Sequence, residues 1–128
     1  MFARMFPELH VSDCEVAAEF FEKALGYRRG YTLMESGHLD FAVMEHPNAG
    51  LQLTLHRMMP AEESAKPRYM RLYYEPRDIH ALVAKVRAHG FAVSEPETTD
   101  YGATTAHMSG PDGYMIWFQQ WNRSAVVD

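Results

Sequence analysis

Four side chains that can carry a proton lie on segments of strand-like alternation: Glu8, His10, His56 and Glu75. A histidine or carboxylate held beside a reacting group acts as a general acid or base without a metal. Their spacing selects none of the four over the others. Cys14 is the only cysteine, which excludes an intramolecular disulfide and a cysteine-based zinc site. It falls in the first turn of an expected helix, where a thiol pKa can drop. Its alternatives are a redox role and a small residue packed on the buried side, and the second is favoured. There is no G-x-S-x-G elbow, no P-loop and no G-x-G-x-x-G, so nucleophilic hydrolysis and nucleotide cofactors have no support. Of the remaining histidines, His80 and His89 fall on the solvent side of a helix and His38 and His46 at turns. His107 lies on a strand whose period leaves its direction open.

These residues need elements to hold them. A strand is expected over residues 5–11, ending at Ser12-Asp13, which can cap a helix; Ser12 and Glu15 have capping-box spacing. Val16, Ala17, Phe20, Phe21, Ala24 and Leu25 recur at helical spacing, and Gly26 stands where a left-handed residue ends a helix. Alternation follows over 27–35, 39–45 and 51–56, with a Pro-Asn-Ala-Gly turn before the last strand. Residues 58–67 lack an apolar pattern and read as an exposed linker. The order then repeats. A strand is expected over 69–75, then a helical stripe of Ile79, Leu82, Val83 and Val86 behind Asp78, stopped by Gly90. Strands over 91–94, 103–109 and 114–121 complete it, with Tyr101-Gly102 as a loop and Gly110-Pro111-Asp112-Gly113 as a turn.

The two halves are therefore an internal duplication. Val11 and Pro76 precede the two helices and differ by 76 − 11 = 65, while Gly26 and Gly90 differ by 90 − 26 = 64. The expected fold is α+β: two βαβββ modules forming an incomplete barrel around a cleft. Module one covers 1–57, the linker 58–67 and module two 68–122, within a single domain of 128 residues.

Composition narrows the function classes. Hydrophobic residues make up 47% and charged residues 23%, which is ordinary globular composition. The net charge of −5, from 17 acidic and 12 basic side chains, argues against a nucleic-acid surface. No apolar run approaches the roughly 20 residues of a membrane span, and the first residues lack a signal-peptide core. A soluble, cytoplasmic protein is expected.

Paired βαβββ modules carrying Val11-Ser12-Asp13, the run Phe20-Phe21-Glu22-Lys23-Ala24-Leu25-Gly26-Tyr27, Tyr101-Gly102 and Gly110-Pro111-Asp112-Gly113-Tyr114 resemble the vicinal oxygen chelate superfamily. That group includes glyoxalase I, fosfomycin-resistance transferases, extradiol dioxygenases and the bleomycin-resistance binding proteins. The resemblance covers nearly the whole chain. It implies a metal ligand on the first and last strand of each module, at Phe6, Gln52, Arg71 and Trp117. Family enzymes carry His, Glu, His and Glu there. Phe and Trp offer no donor, Arg stays protonated, and one neutral amide does not hold a divalent ion. The implied metal site is therefore expected to be absent, and no cofactor is expected.

Period-two extension from those positions gives the other inward side chains: Glu8 and His10, Thr54 and His56, Tyr73 and Glu75, Gln119 and Trp121. The neighbours Leu9, Val11, Leu51, Leu53, Leu72, Tyr74, Ile116 and Phe118 face the helices. Trp117, Tyr73 and Phe6 can stack on a planar or cationic ligand, and Glu8 and Glu75 can meet its amines. The alternatives are plain: Phe6 and Trp117 as core, or Arg71 and Glu75 in an ion pair with Glu8. The leading expectation is a metal-free binder of an aromatic or cationic small molecule, such as an antibiotic, working as a homodimer. Ligand contacts are expected from Phe6, Glu8, His10, Gln52, Thr54, His56, Arg71, Tyr73, Glu75, Trp117 and Gln119. The alternatives are a glyoxalase-class lyase or isomerase using metal or a His/Glu pair (Glu8, His10, Glu75), and a structural or regulatory protein with a filled cavity.

Overall fold

Helix starts and stops follow from single side chains. The Asp13 carboxylate accepts from the Val16 amide at 3.0 Å and opens helix α1 (Cys14–Leu25). Asp78 accepts from the Ala81 amide at 3.1 Å and opens helix α2 (Ile79–Ala88). The first cap is thus Asp13, not Ser12. Gly26 ends α1 with φ +77, returning its amide to the Glu22 carbonyl. The computed structural model describes residues 1–48, 50–58 and 70–122.

The chain divides into two compact units, Met1–Pro67 and Arg68–Asp128. The first holds strands β1 (Glu8–Val11), β2 (Arg28–Glu35), β3 (His38–Glu45) and β4 (Leu53–Arg57) with α1. The second holds β5 (Arg71–Tyr74), β6 (Glu97–Thr98), β7 (Ala103–Ser109) and β8 (Met115–Trp121) with α2. Each sheet has four strands, in the orders β1-β4-β3-β2 and β5-β8-β7-β6. The orders match under a shift of four, and neither sheet closes on itself. In both, the first and last strands pair in parallel and the others antiparallel. The α+β architecture of two similar βαβββ modules is therefore the one the sequence predicts.

One face of each sheet carries the core. Leu9, Val11, Leu53, Leu55, Ala42 and Met44 are buried with Ala17, Ala18 and Phe21 of α1. Ile116, Phe118, Ala106 and Met108 are buried with Ile79, Val83 and Val86 of α2. The close of the second sheet needs a glycine: a Cβ on Gly110 would stand 2.8 Å from the Tyr114 carbonyl oxygen, which its own amide meets at 2.7 Å. Among the described residues, no helix is long and apolar enough to cross a membrane.

Several local expectations are corrected. Val16 is 59% exposed rather than part of the buried stripe. Once Asp13 is the cap, the inward face runs through Cys14, Ala17, Ala18, Phe21 and Ala24 instead. Residues 91–94 form no strand. Ser94 reaches β7, its amide donating to the His107 carbonyl and its hydroxyl oxygen accepting from the His107 amide, and Pro96 follows, so pairing resumes at Glu97–Thr98. β1 starts at Glu8, although the Pro7 carbonyl already accepts from the Thr54 amide at 2.9 Å. Nearly all of β2 is exposed, as an edge strand with two register shifts that break its alternation. The expected linker, beyond residue 58, and Tyr69 lie outside the described residues.

The repeat is not one constant offset. Glu8 pairs with Thr54 in the first sheet, and Tyr73 with Trp117 in the second. Glu8 to Tyr73 is 73 − 8 = 65, but Thr54 to Trp117 is 117 − 54 = 63. The connection before the closing strand accounts for this, running over 46–52 in the first unit and 110–114 in the second, two residues fewer. Trp117 therefore matches Thr54, and Met115 matches Gln52.

Candidate functional site

Opposite each helix-covered face lies an open face, and its side chains follow from register. On the first sheet Glu8 and His10 of β1 stand beside Thr54 and His56 of β4, with Phe41 of β3 next to His56. Glu8 Oε2 and His10 Nε2 are 3.0 Å apart. The His10 and His56 rings lie 5.4 Å apart, and Phe41 meets His56 edge-on at 6.2 Å. The His56 Nδ1–H donates to the Arg57 carbonyl at 2.7 Å, which leaves the Nε2 lone pair available when the ring is neutral. This is a histidine pair with a carboxylate behind one member, an arrangement able to pass a proton. Thr54, the strand partner of Glu8, is buried.

On the second sheet, Trp117 stands at the centre. Its strand partners are Tyr73 on β5 and His107 on β7. Tyr73 stacks beside it at 5.9 Å between ring centroids, and His107 at 4.8 Å. The Arg71 guanidinium lies over the indole, 4.7 Å from the ring centroid. Trp117 Nε1 is buried and finds no acceptor among the described residues. An unmet donor of this kind costs about 1–3 kcal/mol, so it calls for a reason. Further along, the Tyr101 hydroxyl donates to Gln119 Oε1 at 3.2 Å, and Trp121 packs against Tyr101 at 5.7 Å.

The expected ligand residues thus divide between two faces. Glu8, His10, Thr54 and His56 gather on the first sheet; Arg71, Tyr73, Trp117 and Gln119 gather on the second. Phe6, Gln52 and Glu75 lie just outside the strands. Phe6 is 49% exposed, with Arg4 over its ring at 5.8 Å, so it is not core. Arg71 has no carboxylate partner among the described residues and lies over the Trp117 ring, while the Glu8 carboxylate meets His10. His107, whose direction the sequence left open, belongs to the second face, and its partnership with Trp117 could be read only once the β7–β8 register was known.

The remaining titratable groups serve the scaffold. Burial pushes the Cys14 thiol up to about 11, with Asp40 adding to the shift, so the helix start does not activate it. Arg29 bridges Glu15 and Glu22, the latter at 3.0 Å. Its hydrogen bond holds the Glu15 carboxyl below the usual range, and the guanidinium is raised in return. His46 Nδ1 accepts from the Asn48 amide at 3.0 Å, so Nε2 carries the proton and donates to the Leu25 carbonyl at 2.9 Å, at the end of α1. A cavity of about 460 Å³ lies at the start of α1, lined by Ser12, Asp13, Cys14, Met34, His38 and Arg57 among others. No expected ligand residue lines it.

The metal that the fold implies does not suit these side chains. Phe6, Gln52, Arg71 and either Trp117 or its register-corrected counterpart Met115 provide no ligand set. Among the described residues, no three His, Cys, Asp or Glu side chains group to hold an ion.

A family profile, that of the Glyoxalase/Bleomycin resistance protein/Dioxygenase superfamily, matches residues 6–118. The chain belongs to this superfamily. The match runs through both units. Among solved structures, the glyoxalase/bleomycin resistance fold recurs in TnmS3, an antibiotic binding protein from Streptomyces sp. CB03234, at 24% identity and a TM-score of 0.75, over 95% of this chain and 98% of that one. A glyoxalase/bleomycin resistance protein/dioxygenase from Nocardioides is 23% identical with a TM-score of 0.74, over 96% and 87% of the two chains. A possible glyoxalase from Bacillus cereus is 25% identical with a TM-score of 0.68, over 92% and 98%. No curated protein matches the chain. Members of a fold this widely shared differ in chemistry, so function rests on the side chains of the two faces.

Proposed function

We propose that this superfamily member is a metal-free binder of an aromatic small molecule, held on the open face of the second sheet. The observation that carries the reading is Trp117, flanked by Tyr73 and His107, capped by Arg71 and left with an unmet indole N–H. Flat side chains set side by side on a rigid sheet give a ligand ring a large apolar contact at little entropic cost. A ligand carbonyl or ether oxygen could take up the unmet N–H once the side chains over it part. The antibiotic-binding neighbour TnmS3 supports small-molecule binding as the use of this scaffold. A homodimer accompanies the reading: Tyr31, Leu33 and Met34 stand exposed on edge strand β2, an apolar surface that a second copy could cover.

The test is calorimetric titration with 2-naphthol, an uncharged flat probe. The wild-type protein is expected to bind it, Trp117→Ala to lose at least tenfold in affinity, and His10→Ala to keep it. No binding by the wild type, or equal binding by Trp117→Ala, contradicts the reading.

A second reading has its own observation, the Glu8–His10 contact at 3.0 Å with His56 beside it. It supports acid–base turnover of the glyoxalase class on the first sheet. That reading expects turnover of a carbonyl substrate abolished by His10→Ala and indifferent to Trp117→Ala.

A further inference from the structure

We infer that the ligand of the second face is an aromatic acid: a flat ring bearing a carboxylate or a similarly anionic oxygen, with Arg71 as the residue that selects it. The inference rests on the proposed aromatic site and names the class of molecule it takes. Arg71 is exposed on β5 and makes no ion pair with any described residue. Elsewhere Arg28 meets Glu45, Arg29 meets Glu15 and Glu22, Arg57 meets Asp40, and Arg87 meets Glu95. Arg71 alone on this face is spent on an aromatic ring. Contact with the indole holds the guanidinium at this face without using its N–H groups on a carboxylate, so its planar fork is left to a ligand carboxylate.

The same contact disfavours a cationic ligand. The electron-rich face of Trp117, where an ammonium group would settle, is already covered by a cation of the chain itself. A second positive charge there would meet repulsion. Within this unit, the nearest described carboxylates stand off. Glu97 is on β6, two strands from Trp117 on β8 in the order β5-β8-β7-β6, or about 10 Å at ordinary strand spacing. Glu75 lies past the end of β5, and among the described residues it makes no ion pair with Arg71. The neutral polar groups of the face, such as Gln119, are silent on charge. An anion beside a ring is therefore the occupant that completes the site.

Three probes of one ring system separate the outcomes: 2-naphthol, 2-naphthoate and 2-naphthylmethylammonium, titrated calorimetrically into the whole chain at low salt. The expected order places naphthoate at least tenfold tighter than the ammonium. Arg71→Gln should weaken naphthoate about tenfold more than it weakens 2-naphthol, and Arg71→Lys should recover only part of that difference because it cannot form the planar fork. If 2-naphthol binds but naphthoate and the ammonium bind alike, or Arg71→Gln weakens naphthoate no more than 2-naphthol, the acid preference is overturned and the aromatic site stands. If none of the three binds, the aromatic site fails and the preference with it. An unfolded variant would be seen in the melting curve, and Arg71→Lys is the substitution that keeps the charge and the chain length closest.

Discussion

The two open sheet faces are built alike and furnished differently. Each belongs to a sheet of the same strand order, with a helix and an apolar core on the other side. On the first, β1 and β4 bring a carboxylate and two histidines together; on the second, β5 and β8 bring an arginine, a tyrosine and a tryptophan. One set can move a proton, and the other can hold a ring. Both units keep apolar side chains where the core is buried and differ in those that look outward, because packing constrains only the first kind. The comparison teaches where function can be sought in such a chain: in the side chains that alternate with the core, not in the fold.

The first way to break this comparison is to test whether the cores are as similar as the faces are different. Phe21 and Phe118 are both essentially inaccessible, at 0% and 1%. Phe21→Ala and Phe118→Ala are each expected to cost about 3–5 kcal/mol in denaturant unfolding. If one of them costs less than about 1 kcal/mol, the two halves do not rest on equivalent cores. A smaller effect sharpens the contrast in how the units are tied at their surfaces. Arg29→Met should lower stability by roughly 1 kcal/mol at neutral pH, a modest figure because Glu15 is half exposed and solvent screens the pair. The Glu15 carboxyl is held below its unfolded value, so its contribution is present above the usual carboxylate range and is lost as pH falls through the lowered folded value. The difference between Arg29→Met and wild type should therefore shrink on acidification below about pH 4. A difference that grows instead would mean that the bridge is not the source of the effect.

Much of this was legible in the sequence, for reasons that particular residues make plain. Asp78 and Gly26 mark helix ends because they satisfy backbone groups locally. The strand expected over 51–56 follows from alternation, which records which face is buried, and it is observed as β4. What was not legible depends on distance along the chain. The two-residue difference in register comes from the length of a connection, so Trp117 aligned with Gln52 by counting but matches Thr54 by pairing. β6 falls at Glu97–Thr98, beyond Pro96, although residues 91–94 have the more apolar pattern. Cys14 at a helix start left an activated thiol and a packed small residue open, with the second favoured, and burial by the rest of the core raises its pKa to about 11. Contacts such as Arg71 over Trp117 and His107 beside it join strands far apart in sequence, and no local period announces them.

The most direct test of the central claim is a magnetic-resonance titration that watches both faces at once. The two indole N–H signals, assigned with Trp117→Phe, and the imidazole signals of His10, His56 and His107 would be followed as 2-naphthoate is added. The account predicts that the Trp117 indole and His107 signals shift together and saturate, while those of His10 and His56 stay in place. Shifts confined to His10 and His56, with the Trp117 indole unmoved, would put the ligand on the other face and contradict it.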